Sequence, residues 1–457
     1  MLDLSSLPVT ARSTDLAGEL ILSDQGTRQA LMKDVKRKMK KATLLIKNAK
    51  QLLTLSSDKK GPRTGKDMED VGIIEDGAVA VSDKKIIAVG KTEDVLAKVK
   101  VDKKTKVINA EDKVVLPGFV DCHTHPVFGA TREEEFELRI KGKSYEEIAQ
   151  AGGGIRSSVR SVRQLSKDEL IRLALPRLDR FLSYGTTTIE AKSGYGLSLK
   201  DEIKILEVIK KLNQIHPLSL IPTFLGAHEI PDEYREKRQE YIDLLIEQMI
   251  PEVAKRKLAL FCDVFCEKDV FSIDESKKIL ETAQSYGLKP KLHADQLISF
   301  GGSELAAEVK AVSADHLEFI SDSGIEKMKQ SGTTAVLLPG AVFGLGKDNY
   351  PAARKMIDMG LPVALATDFN PGSSFTESMP MILSLACLRM KLTPAEAITA
   401  ATINSAYAID KGDSIGSLEP GKKADIVIWD VKNYKEIPYH YGVNLVSAVI
   451  KNGEMIR

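Results

Sequence analysis

Four cysteines in 457 residues are too few and too scattered to form a disulfide framework. Cys122, Cys262, Cys266 and Cys387 instead favour a reducing compartment, and a cytoplasmic location is expected. Cys262 and Cys266 lie close together, but no second cysteine pair completes a structural zinc site; buried thiols on or near a strand are expected. No run approaches the ~18 apolar residues of a membrane helix, so no membrane partner is implied. Neither sign of charge dominates: 65 Lys and Arg against 64 Asp and Glu leave a net charge of +1. That balance implies no polyanionic partner, and nucleic acid is not an expected ligand. No internal repeat is visible. Residues 1–38 lack the apolar core of a signal peptide, and Asp3, Asp15 and Glu19 argue against a transit peptide. They are expected to be a flexible extension, either dispensable or preceding a later start. The basic run from Lys33 to Lys41 reads as a solvated face.

What is present falls into two textures. From Met39 to Val115, short β runs (ATLLIKN, GAVAVSD, KIIAVG, KVINA) are broken by turns, as in a small antiparallel sheet. From Leu116, apolar strands alternate with amphipathic helical stretches such as Leu170–Tyr184, Leu199–Asn213, Asp232–Ile250, Ile273–Tyr286 and Ala352–Met359. Seven candidate strands (186–192, 218–228, 260–267, 289–295, 311–317, 334–340 and 362–368) join the one that runs into His123. Alternation implies a parallel sheet, and eight strands are the count of a closed (β/α)8 TIM-like barrel. A doubly wound open sheet is the alternative. A capped helix starts at Leu392-Thr-Pro-Ala-Glu-Ala. The chain then turns strand-like at Gly416–Trp429 and Leu445–Lys451. The expected architecture is therefore α/β: residues 39–115 and 414–457 form a composite β-sandwich from both chain ends, and residues 116–413 form the barrel.

The chemistry concentrates at predicted strand ends. Leu116-Pro-Gly-Phe-Val-Asp-Cys-His-Thr-His125 is an apolar run closing on two histidines one residue apart. Alternate residues of a strand share a face, so His123 and His125 project together. Other strands end at Lys192, His228, His293, near His316, and at Asp368. In a barrel all these ends face one cavity. His123, His125, His293 and Asp368 supply three imidazoles and a carboxylate, enough to hold one divalent or trivalent ion with a position left open for water. Such an ion lowers the pKa of its water towards ~7 and polarises a carbonyl. Asp368 is then placed to accept a proton and return it to a leaving nitrogen. His228 and His316 are spare imidazoles suited to polarising a substrate carbonyl or steering the water. Lys192 leaves open a rival arrangement, a carboxylated lysine bridging two metals.

The motif PGFVDCHTH, the late strand ending in Asp368 and the closing SIGSLEPGKKADIVIWD resemble the metal-dependent amidohydrolase superfamily. HPVFGATREEEFELRIKGKSYEEIAQAGGGI (125–155), TIEAKSGYGL, TFLGAHEIP, KLHADQL, AVSADHLE, LLPGAVFGLG and ATDFNPGSS carry the resemblance from Met39 to the C-terminus. They resemble one branch in particular. The activity this implies is hydrolysis of the ring amide of 4-imidazolone-5-propanoate, giving N-formimidoyl-L-glutamate in histidine degradation, with zinc or iron as cofactor. The resemblance places the metal on His123, His125, His293 and Asp368, and substrate on Arg132, Tyr195 and His228. Asn370, Gly372 and Ser373 fall at positions that hold the product-like end. Gln296 falls where many relatives carry a glutamate that touches the ring or shuttles protons. Glutamine hydrogen-bonds but takes no proton, which shifts proton transfer onto Asp368 and His316.

The physical chemistry agrees. Arg132 offers a planar fork for the propanoate carboxylate, and Tyr195 lies between glycines whose backbone approaches a ligand closely. Gly152-Gly-Gly154 reads as part of a lid, and Tyr145 as a neighbour of the pocket. Other readings are a cytosine- or guanine-type deaminase, a dihydroorotase-like cyclic amidase, or a barrel kept as a non-catalytic assembly module. A homodimer is one assembly the resemblance allows.

Overall fold

The computed structural model describes residues 13–14, 20–21, 39–143, 147 and 152–457. Most of the expected N-terminal extension, and Tyr145, lie outside the described residues. Eight parallel strands, in consecutive order, form the barrel: β1 (Phe119–Asp121), β2 (Thr186–Lys192), β3 (Ser219–Ala227), β4 (Phe261–Cys266), β5 (Lys289–Ala294), β6 (Ser313–His316), β7 (Thr334–Leu337) and β8 (Val363–Leu365). They follow the apolar runs of the sequence closely, because a strand walled by helices outside and side chains inside is buried on both faces. Consecutive order and parallel pairing rule out the doubly wound sheet, in which strand order reverses at a switch point. The ring closes just past the regular ends of β1 and β8. There Thr124 bridges Phe369, Asp368 N–H donates to the His123 carbonyl at 3.1 Å, and His125 N–H donates to the Phe369 carbonyl at 2.8 Å.

The run leading into His123 is not one strand. Val114–Pro117 belongs to a second sheet, and β1 begins only after Gly118. A methyl group on Gly118 would overlap the Thr187 side chain, so the chain changes sheets where it passes closest to β2. His123 and His125 consequently sit beyond the strand, on the segment that stitches the barrel shut.

Two further sheets pack together around a separate apolar core that includes Leu44, Ile46, Val79, Val115, Ile428 and Ile450. In one of them Val114–Pro117 pairs antiparallel with Ile426–Trp429, which pairs in turn with Val446–Lys451. Strands from the two ends of the described chain thus share one sheet. Both sheets are mixed rather than purely antiparallel: Val114–Pro117 also runs parallel to Gln51–Leu53, and in the other sheet Lys106–Asn109 runs parallel to Leu44–Ala49. Cys262 and Cys266 are buried on β4, and all four thiols are free. Among the described residues, no helix is long and apolar enough to cross a membrane.

Candidate active site

Three of the four expected ligands offer one nitrogen each within 4.8 Å of one another: His123, His125 and His293. Asp368 joins them, its Oδ1 lying 3.4 Å from His123 Nε2 and 3.7 Å from His125 Nε2. His316 belongs to the same cluster, in a second group of mutual neighbours with His123 and Asp368. All five side chains are buried. Backbone strain accompanies the constellation. His316 (φ 81°), its neighbour Leu317 (φ 68°) and Asp368 (φ 52°) all take left-handed conformations that side-chain-bearing residues seldom adopt.

The donor set suits a metal ion. His123 Nε2 and His125 Nε2 face each other at 3.4 Å, and the buried His125 Nδ1 has no partner. Burial, followed by neighbouring Lys192 and other histidines, holds His123 well below its ordinary pKa; burial and His228 do the same to His125. Two neutral imidazoles crowded beside a carboxylate are ligands in search of a cation. Burial pushes the Asp368 carboxyl up from the usual carboxylate range, against the opposing pull of His316 and His293. Burial alone would lower the pKa of His316, but Glu318, 3.6 Å from its Nδ1, outweighs that and raises it.

Around this centre the other expected residues assemble. His228 stacks on His125, with centroids 5.3 Å apart and planes 14° apart, and Tyr195 packs against both rings. Burial lowers His228 to about 3, so the ring is neutral. Its Nδ1 lies 2.9 Å from the Gly194 carbonyl and must be the donor there, which leaves Nε2 as an acceptor. The loop carrying Tyr195 is tied down by Glu202, whose carboxylate accepts from the N–H groups of Gly194, Gly196 and Leu197. Burial raises the Tyr195 phenol, which stays protonated as an O–H donor.

Arg132 Nε donates to Glu135 Oε2 at 3.0 Å, and Glu135 Oε1 accepts from Gly154 N–H at 2.9 Å. A methyl group on Gly372 would collide with the Arg132 guanidinium, so the arginine lies directly on the 370–374 loop. A cavity of about 670 Å3 opens there, lined by Arg132, Gly372, Ser373, Phe136, Phe343 and Phe375, beside the histidines rather than over them. Asn370 is engaged within its own loop. It donates to the Asp368 carbonyl at 2.6 Å and to Ser373 Oγ at 2.8 Å, and accepts from Gly372 and Ser373 N–H. Ser373 Oγ also reaches Asp368 Oδ2 at 3.3 Å. Gln296 is half-buried, its N–H donating to Glu267 Oε2 at 3.0 Å.

Several groups at the site, Lys192 apart, carry no mark in the sequence reading. Asp315 Oδ2 sits 2.6 Å from His123 Nδ1, and Asp263 Oδ1 sits 3.2 Å from His293 Nδ1. Lys192, Lys291 and Glu190 complete a buried charged layer inside the barrel. Burial would lower the Lys192 pKa, but Asp263, Glu190 and Asp315 more than reverse that. Arg177 holds the segment after the histidines, donating to the Pro126 and Phe128 carbonyls at 3.0 and 2.9 Å. The one available signal was a charge at an alternate position within an apolar strand, as in FCDVF and SADH.

Known proteins resemble this chain along most of its length. Residues 114–456 match the amidohydrolase family. The chain is 50% identical over 411 residues to the imidazolonepropionase of Alkaliphilus oremlandii, covering 90% of this chain and 97% of that one. It is 48% identical over 417 residues to the imidazolonepropionase of Parabacteroides distasonis, covering 91% and 99%. Among solved structures, Escherichia coli guanine deaminase superposes with a TM-score of 0.69 at 14% identity, covering 90% of this chain and 98% of that one. A 5-methylcytosine deaminase from Klebsiella pneumoniae gives 0.67 at 17%, with the same coverage. At these identities the structural likeness concerns the fold.

Proposed function

Because the chain belongs to the amidohydrolase family and, within it, to the imidazolonepropionases, we infer that its site opens the ring amide of 4-imidazolone-5-propanoate, releasing N-formimidoyl-L-glutamate. It is a hydrolase of carbon–nitrogen bonds. The observation that carries the reading is the convergence of His123, His125, His293 and Asp368, from three strand ends, beside Arg132. Zinc or iron held by those four residues would supply Lewis acidity, making a water nucleophilic near pH 7 and polarising the ring carbonyl.

The remaining work belongs to the side chains. Asp368 accepts the proton of the attacking water as its oxygen adds to the ring carbonyl carbon. The same carboxyl returns that proton to the ring nitrogen as the C–N bond breaks, so the proton count closes. Burial raises its pKa above the usual carboxylate range, which favours its taking up that proton. His316, held by Glu318, donates toward the developing oxyanion. Arg132 binds the propanoate carboxylate with its terminal nitrogens. Neutral His228 and the Tyr195 hydroxyl hold the ring, and Ser373, on a loop shaped by Asn370 and Gly372, steadies Asp368. Gln296 adds a hydrogen bond without proton exchange. Four free thiols favour a reducing, cytoplasmic setting.

The test is direct. Adding 4-imidazolone-5-propanoate and following its ultraviolet absorbance should show turnover by metal-loaded protein and none after chelation. No turnover with metal fully loaded would overturn the reading. Arg132→Ala should raise KM for this substrate at least ~tenfold, the scale of a charge-assisted hydrogen bond. A deaminase, which needs no carboxylate anchor, would not respond in that way.

A further inference from the structure

Beneath the centre lie three carboxylates and two ammonium groups, all completely inaccessible to solvent: Glu190, Asp263 and Asp315 with Lys192 and Lys291. Strand register assembles them. Asp263 on β4 pairs with Lys291 on β5, and His293 on β5 pairs with Asp315 on β6. Glu190 and Lys192 occupy alternate positions of β2 and so face the same interior. Lys192 is the hub. Its Nζ lies 2.6 Å from Asp263 Oδ2, 3.0 Å from Glu190 Oε1 and 3.4 Å from Asp315 Oδ2. Lys291 reaches Glu190 Oε2 at 2.7 Å and the Cys122 carbonyl at 3.2 Å, and is 4.0 Å from Asp315.

Two of these carboxylates touch the metal-binding histidines. Asp263 bridges, one oxygen on Lys192 and the other on His293 Nδ1. Asp315 directs Oδ2 at both His123 Nδ1 and Lys192 and accepts from Ser313 through Oδ1 at 2.6 Å. A carboxylate held against an ammonium group is ionised and can only accept. The facing Nδ1 must then carry the proton, and each histidine presents the Nε2 lone pair to the cluster.

We propose that Lys192 is a positioning residue for the metal centre: by holding Asp263 and Asp315 as acceptors, it fixes His293 and His123 in the tautomer whose Nε2 binds the ion. This rests on the reading that those histidines hold metal. The same cage closes the alternative of a carboxylated lysine, because a carbamate there would set a fourth anion among three carboxylates. His123, Glu190 and Asp315 have ligand atoms within 4.8 Å of one another. The two ammonium groups already provide the positive charge that a second cation would bring to that spot.

The experiment measures zinc affinity of the metal-free protein against a chromophoric chelator, together with the visible spectrum after cobalt(II) loading. Lys192→Met should weaken zinc binding by about 10–100-fold, the usual effect of removing support behind a ligand, and should change the cobalt spectrum. Lys291→Met removes the same charge from the same layer but leaves Asp263 untouched. It should hold zinc within about threefold of the parent, with the cobalt spectrum unchanged. Equal weakening by both variants, or a folded Lys192→Met protein with parental zinc affinity, would overturn the proposal. Should Lys192→Met fail to fold, the charge-balanced Lys192→Met/Glu190→Gln protein is read by the same criteria. Failure of the parent itself to bind zinc or cobalt would instead sink the metal reading.

Discussion

On the proposed function, Arg132 would meet the propanoate with two terminal nitrogens, because Glu135 holds the third, and Gly372 leaves room for the fork. Glu135→Ala frees the guanidinium and removes the acceptor for Gly154 N–H. KM should rise about tenfold while kcat changes little, the signature of lost substrate binding rather than lost chemistry. Gly372→Ala should move KM in the same direction by steric displacement, and Glu135→Gln, which keeps one acceptor, should recover part of the loss. Steady-state kinetics on the two parameters separates these outcomes; a fall in kcat alone would argue against the arrangement. Arg132 was legible from its place in GATREEEF. Glu135 was not, since a first helical turn of three glutamates reads as a solvated face whichever of them turns inward. Only the packing shows that Glu135 is buried while Glu134 is exposed.

Among elements, one carboxylate adds a side-chain link to the junction of β1 and β8. Asp121 accepts from Thr367 N–H at 3.0 Å and from Thr367 Oγ1 at 2.6 Å, and burial pushes it up to about 7. A carboxyl whose pKa is raised by folding stabilises the fold most when protonated. Its contribution is therefore complete below about pH 4 and is lost as pH rises through about 7, at up to ~1.4 kcal/mol per pH unit. Scanning calorimetry of Asp121→Asn across that window should show a flatter dependence of Tm on pH than the parent; identical slopes would contradict the assignment. The strands themselves were legible, because apolar runs bounded by glycine and proline mark chain buried on both faces. The change of sheet at Gly118 was not. The apolar run passes through two sheets without interruption, and what divides it is the nearness of Thr187, a contact from another part of the chain.

For the molecule as a whole, the four proposed ligands come from around the ring: two from beyond β1, one from β5, one from beyond β8. An ion that binds only the folded protein stabilises it by about 2.7 kcal/mol at ~100 times its dissociation constant. Chelation should therefore lower Tm, and hydrogen exchange should quicken first in residues 119–125 and 363–370, where backbone bonds close the barrel. Uniform quickening, or none, would separate metal binding from closure. The four proposed ligands stand out in the sequence because each falls at or just past the end of an apolar run. The buried layer of charge beneath them could not, because a lone Asp or Lys inside a strand has no stated partner until register supplies one.

The closure also has a consequence for biosynthesis. Asp121 and its partner Thr367 are separated by 246 positions along the chain. A ribosome releases His123 and His125 early, and Asp368 only after seven more strands have been made. Until then the nascent polypeptide holds a histidine pair with no Asp368 to complete the proposed metal site, so on that reading metal loading would be a late event, coupled to the final turn of the cylinder rather than to its first.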